Sequence, residues 1–211
     1  MKEGLADIPA NPVAATNDPG AGIVARDRVL SDAELAIIWK ACQDDAFGKI
    51  TKLLILTGCR RGEIGRLRWT EIDFATGVLT LPGERVKNRK GHALHLPQAA
   101  LDILRSCPRK ATDFIFDTGD GGYRSWGVST ANLKARIAAI KDIGDWRLHD
   151  LRRSCRTGLG KLGVPPHIAE LVIGHVKKGV EAIYDRHKYQ DEIALALKQW
   201  ADHVFAVVER A

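Results

Sequence analysis

Residues 147–189 read RLHDLRRSCRTGLGKLGVPPHIAELVIGHVKKGVEAIYDRHKY, a stretch whose histidines, arginines and tyrosines are spaced so that several can converge on one phosphate. His149 and Arg152 lie three apart, so on a helix they share a face, whereas Asp150 and Arg153 are expected to point elsewhere. Leu148, Leu151 and Leu159 then seat that helix in a core. Gly163 followed by Pro165 and Pro166 marks a stop and a new start, because proline suits the first turn of a helix and blocks its continuation. The next helix is expected over 167–173, ended by Gly174, which leaves His175 at a helix terminus. Nine residues later Tyr184 sits in a short amphipathic run with Val180 and Ile183. Histidine and tyrosine thus fall on adjacent elements.

Singly, each residue has an ordinary structural explanation: Tyr184 as a packed core tyrosine, His175 as a helix-end cap. As a set, His149-x-x-Arg152, then Gly174-His175, then Tyr184 closely resemble the second conserved box of the tyrosine recombinases, the phage-integrase family. That resemblance implies an upstream arginine in a TGxRxxE box, and residues 57–63 read TGCRRGE with Arg60 in place. It also implies a lysine in a β-hairpin between the boxes, and VKNRKGHALHLP at 86–97 supplies Lys87. The likeness covers residues 31–203 and is nearest to integrases of temperate phages and genomic islands. Ile173 stands where the family more often has leucine, a trivial change.

Length and composition fit that picture. The 211 residues, 45% apolar and 27% charged, describe one ordinary globular core. Cys42, Cys59, Cys107 and Cys155 show no CxxC spacing, so reduced thiols are expected. No apolar run is long enough to span a bilayer and no signal-like segment opens the chain, which points to the cytoplasm. The net charge of +6 is unevenly spread: residues 60–90 and 147–161 together carry +8, and the remainder sums to −2. Two basic stretches flanking one candidate site suit a polyanion such as duplex DNA.

Taken in order, residues 1–30 lack periodicity and read as a linker or arm. Ser31 and Glu34 form a capping box before a helix over 32–44, and a second helix over 47–57 is broken by Gly58 and delivers Arg60. Glu63, three residues on, can hold the Arg60 side chain or buttress its turn; the plainer alternative is a surface ion pair. Residues 72–96 alternate as a small three-stranded antiparallel sheet, with Lys87 at the start of its last hairpin. His92 and His95 invite a metal reading, but three apart on a strand they face opposite sides and no further ligand completes a set. A short helix is expected at 98–106 and another helix at 126–141. Ile193, Leu197, Trp200, Val204 and Val208 form one stripe on a last helix, which packs on its own domain or docks on a neighbouring protomer.

The fold class is therefore α+β, mainly α-helical with a small three-stranded antiparallel sheet, the tyrosine recombinase catalytic-domain fold. The resemblance implies a catalytic domain over 31–211, with residues 1–30 leading from a separate N-terminal DNA-binding domain. It implies metal-free and ATP-free cleavage of double-stranded DNA through a 3′-phosphotyrosyl intermediate, without cofactor, in a bacterial or phage-infected cell at the nucleoid. Tyr184 would be the nucleophile, Arg60 and Arg152 the phosphate clamp, His149 the general base, His175 a donor to the phosphate, and Lys87 the acid for the leaving 5′-oxygen. Tyr189 is the competing nucleophile. Self-association into a tetramer on DNA, through residues 190–208, belongs to the same expectation. A type IB topoisomerase or an inactive DNA-binding relative are the alternatives.

Overall fold

A computed structural model describes residues 26–86, 89, 91–119, 121–175 and 189–211. Its centre is helix α2 (Ala46–Thr57), in which Phe47, Ile50, Leu53, Leu54, Ile55 and Leu56 are all buried. Asp45 caps its start by accepting the Gly48 N–H at 2.7 Å, and Gly58 ends it in the left-handed region at φ 63°, a conformation that costs glycine nothing. Helix α1 (Asp32–Ala41) begins with the expected capping box: the Glu34 carboxylate accepts the Ser31 N–H at 2.7 Å. After α2 the chain turns into the short α3 (Arg61–Gly65) and a single 3₁₀ turn at Trp69–Glu71.

The sheet has the order β1 (Ile72–Asp73), β2 (Val78–Leu81), β3 (His92–His95), all antiparallel. Leu79 pairs with Leu94 and both are fully buried, while Leu81 pairs with His92 on the same inward face. Helices α4 (Gln98–Arg105) and α5 (Trp126–Ile140) follow, the first against α2 and the second against α1. Helix α6 (Leu148–Lys161) crosses α2, and α7 (Pro166–Val172) starts with proline in its first turn.

Helix α8 (Gln190–Arg210) closes the core. Ile193, Leu197, Trp200 and Val204 are buried against α1, α2, α6 and α7, and the Trp200 indole N–H donates to the Ile55 carbonyl at 2.7 Å. A methyl group at Gly158 of α6 would meet the Trp200 ring at 2.1 Å, so that glycine makes the crossing possible. Of the two readings of this stripe, packing on its own domain is the one observed.

Residues 26–30, the described end of the segment expected as a linker or arm, run beside α6. Arg26 donates to the buried Asp150 carboxylate at 3.1 Å and to Asp145, and the Leu30 N–H donates to the Ser154 hydroxyl at 2.8 Å. All four cysteines are free and buried, and burial pushes the Cys42 and Cys59 thiols up to about 12, Cys107 to about 11, and Cys155 upward as well. No helix among the described residues is long and apolar enough to cross a membrane.

Candidate active site

Two chain reversals bring the basic residues together. The left-handed Gly58 throws the chain off the end of α2 so that Arg60 precedes α3. There Glu63 accepts the Arg60 backbone N–H at 2.7 Å and its guanidinium at 2.8 Å. Glu63 is only 5% exposed, so this is a buttress built into the turn and not a solvated surface pair. The second reversal is Gly174, also left-handed at φ 68°, where the Gly174 and His175 N–H groups donate to Leu171 and Glu170 carbonyls at 2.9 Å each.

Arg152 spans the two. Its side chain is buried and donates to the Gly58 carbonyl at 2.8 Å and to the Ile173 carbonyl, tying the turn after α2 to the turn after α7. Burial first, and the neighbouring Arg60 second, lower its pKa from the ordinary arginine value. A guanidinium has five N–H donors, so Arg152 can donate to a further partner on its open side while these two bonds stand.

His149, one turn before Arg152 on α6, is exposed at the cleft, and its pKa is lowered by partial desolvation and then by the Arg153 and Arg152 cations. It is therefore held neutral to lower pH than a free imidazole, the state a proton acceptor needs. His175 places its Nδ1 against the Glu170 carboxylate, and Arg156 donates to the other Glu170 oxygen at 2.7 Å. Burial pushes Glu170 up, but the Arg156 and His175 hydrogen bonds outweigh it and hold the carboxyl below its usual range. Arg60, His149, Arg152 and His175 line one open cleft of about 460 Å³. Beyond Arg60 and His149 a second groove of about 780 Å³ continues past Arg61, Lys134 and Arg147, with no carboxylate in its lining.

The sequence profile of the phage integrase family matches residues 28–191. The chain belongs to the phage integrase family. It is similar to prophage integrase IntA of Escherichia coli K12, 30% identical over 155 residues that make up 72% of this chain and 37% of that protein. It is also similar to the integrase of Shigella phage Sf6, 25% identical over 159 residues, 72% of this chain and 40% of that one. The chain thus spans about two-fifths of the length of these curated relatives. An integrase from mycobacterium phage Brujita superposes with a TM-score of 0.63 at 21% identity, covering 88% of this chain and 64% of that one. XerA recombinase superposes with a TM-score of 0.60 at 17% identity, covering 78% and 64% respectively. At these identities the likeness is one of fold, and it is the mainly helical fold with a small antiparallel sheet expected from the sequence.

Within this phage integrase family domain, four of the seven expected site residues, Arg60, His149, Arg152 and His175, meet at the cleft, with Glu63 behind Arg60. Lys87 and Tyr184 lie outside the described residues. The root of the Lys87 hairpin is fastened nearby: Arg85 donates to the Glu63 carbonyl at 3.1 Å and pairs with the Glu71 carboxylate. One expectation is corrected. Arg153 does not point away from the site but lines the cleft, held there by Asp150 at 2.7 Å, because a helical face is broad enough for 149, 152, 153 and 156 together. Arg156 was legible by the same periodicity, seven residues after His149. Glu170 had no such signal, since its approach to His175 depends on where α7 stops.

Proposed function

We propose that this protein carries out site-specific DNA recombination, integrating or excising a mobile element by strand cleavage and religation through a 3′-phosphotyrosyl intermediate. The observation that carries this reading is the convergence of Arg60, Arg152, His149 and His175 on one open, basic cleft. Phosphoryl transfer without a metal needs cations on the nonbridging oxygens, a base for the nucleophile and an acid for the leaving group. Arg60 and Arg152 serve as the clamp, a neutral His149 takes the tyrosine proton, and His175, oriented by Glu170, donates to the phosphate. Lys87 protonates the 5′-oxygen. The carboxylate-free groove beyond Arg60 fits flanking backbone phosphates of duplex DNA.

Relatives named as integrases and recombinases support recombination over supercoil relaxation, and the gathering of Arg60, His149, Arg152 and His175 at one cleft supports catalysis over mere binding. A structural neighbour, the Tn1549 transposon integrase, was solved with circular intermediate DNA, and it superposes with a TM-score of 0.58. Residues 1–30 belong to this reading as the lead from a DNA-clamping domain, and the work takes place at the nucleoid of a bacterial or phage-infected cell. Protomers self-associate on DNA as a tetramer. Because the apolar stripe of α8 is already buried, a neighbour using residues 190–208 meets the opposite face, where Leu195 is 57% exposed.

The nucleophile is Tyr184. Of the three tyrosines, Tyr123 is buried and its hydroxyl is bonded to Ser129 at 2.5 Å. Tyr189 packs edge-on against His167, in the first turn of α7. Full-length protein is incubated with a nicked suicide duplex and the covalent complex is scored on a denaturing gel. Tyr184→Phe is expected to abolish that complex and leave DNA binding nearly unchanged, with Tyr189→Phe behaving as wild type. The reverse pattern moves the nucleophile to Tyr189.

A further inference from the structure

His92 takes no part in the reading above, yet the fold places it against the turn that carries His175. Strand alternation puts it on the inward face of β3 with Leu94, and it is half-buried there. Its Nε2 lies 3.2 Å from the Val172 carbonyl, so the tautomer that makes this bond carries its proton on Nε2. The same ring covers Gly174: a methyl group there would meet Cδ2, Nε2 and Cε1 at 3.2–3.4 Å. From the other side Arg152 donates to the carbonyl of Ile173. Three consecutive residues before His175 are therefore gripped between β3 and α6.

We propose that His92 is a positioning residue for the reaction: it seats the Val172–Gly174 turn, and through it fixes where His175 and Arg152 stand in the cleft. The inference rests on the phosphotyrosyl reading of that cleft. It also gives β3 a second task, because the strand that returns from the Lys87 hairpin is the one on which the His175 turn rests. Burial lowers the His92 pKa. The charged groups that face it are Glu63 and Arg60 at the α3 turn and Arg152 on α6, so a neutral donor suits a place already beside two cations. Leucine would fill the space but leave the Val172 carbonyl without this donor. An amide side chain would not.

The test compares His92→Ala, which loses bond and ring, with His92→Gln, which keeps a neutral N–H donor. Single-turnover cleavage of the suicide duplex at saturating DNA is expected to fall about 10–100-fold in His92→Ala, the scale of a small misplacement at a reacting centre, with DNA affinity unchanged. Amide hydrogen exchange at Gly174 and His175 is expected to rise by about tenfold or more in His92→Ala while α2 exchanges as in wild type. His92→Gln is expected to recover most of both. Wild-type exchange at Gly174 and His175 in His92→Ala overturns the proposal. So does a uniform rise in exchange that includes α2, which would make His92 a general stabiliser. If wild-type protein forms no covalent complex, the phosphotyrosyl reading fails, and the exchange data alone decide whether His92 seats the turn.

Discussion

Arg152 and Arg60 occupy the same cleft in opposite circumstances. Arg152 is buried and holds two backbone carbonyls from different turns, whereas Arg60 has 27% of its side chain exposed and is itself held by one carboxylate. The first is a clamp built into the fold, whose guanidinium would be in place before any phosphate arrives. The second hangs at the rim, and its aim depends on Glu63. For a transition-state contact the two can matter equally, because both guanidiniums match phosphate oxygens in pairs. For stability they cannot.

The largest effect is expected from Arg152→Ala. Cleavage should fall roughly 10²–10³-fold, as for loss of one transition-state charge contact. Unfolding free energy should fall by about 3 kcal/mol, because the Gly58 and Ile173 carbonyls lose their donors inside the protein and a void opens between α6 and the two turns. Urea denaturation with an unchanged m-value measures the second quantity. Arg60→Ala sharpens the contrast: a similar loss of cleavage, roughly 10²–10³-fold, is expected. Its stability cost should be smaller, about 2 kcal/mol: Glu63 keeps the Arg60 backbone N–H, but its buried carboxylate loses the guanidinium. Equal stability losses in the two variants would break the comparison.

This contrast was only half visible in the sequence. The TGCRRGE box placed Arg60 and suggested that Glu63 could hold it, because spacing within a turn is local. Three-residue spacing likewise put His149 and Arg152 on one face of α6. That Arg152 would be buried between carbonyls 94 and 21 residues away is a tertiary fact that no local pattern carries. The same limit explains Arg153, read as pointing elsewhere because a strict three-residue stripe is narrower than the face of a helix that borders an open cleft. Arg26 is the extreme case, since it lies in a segment that reads as featureless linker and ties to Asp150, 124 residues away. The α8 stripe was legible as apolar but not in its destination, because periodicity names a buried face without naming what buries it.

A smaller effect separates holding from charging. Glu170 is more than a third exposed, so the Arg156–Glu170 pair contributes little to stability, and Glu170→Gln should change unfolding free energy by no more than about 0.5 kcal/mol. Gln still presents an oxygen to His175 Nδ1 but no charge. Cleavage should therefore drop about tenfold, a part of what a placed acid or donor contributes. An unchanged rate would show that Glu170 merely orients the ring.

The smallest effect is in pH dependence, and it returns to the two arginines. His149 sits below the ordinary imidazole value of 6.5, first through partial desolvation and then through Arg153 and Arg152, with Arg60 a weaker influence. The His149 titration followed by NMR should accordingly move back towards 6.5 in both alanine variants, and further in Arg152→Ala than in Arg60→Ala. The sign for stability follows from proton counts: between 6.5 and the lowered folded value, the unfolded chain binds more protons at His149 and at His92 than the folded one. Folding is then favoured at higher pH, and this contribution is lost as pH falls from about 6.5 through the folded values. Replacing His92 with glutamine removes one of these groups, so the slope of stability against pH just below 6.5 should become shallower. A slope unchanged in His92→Gln would mean that the ring is not held neutral by its burial beside Arg152, and that the buried arginine tolerates a charged neighbour.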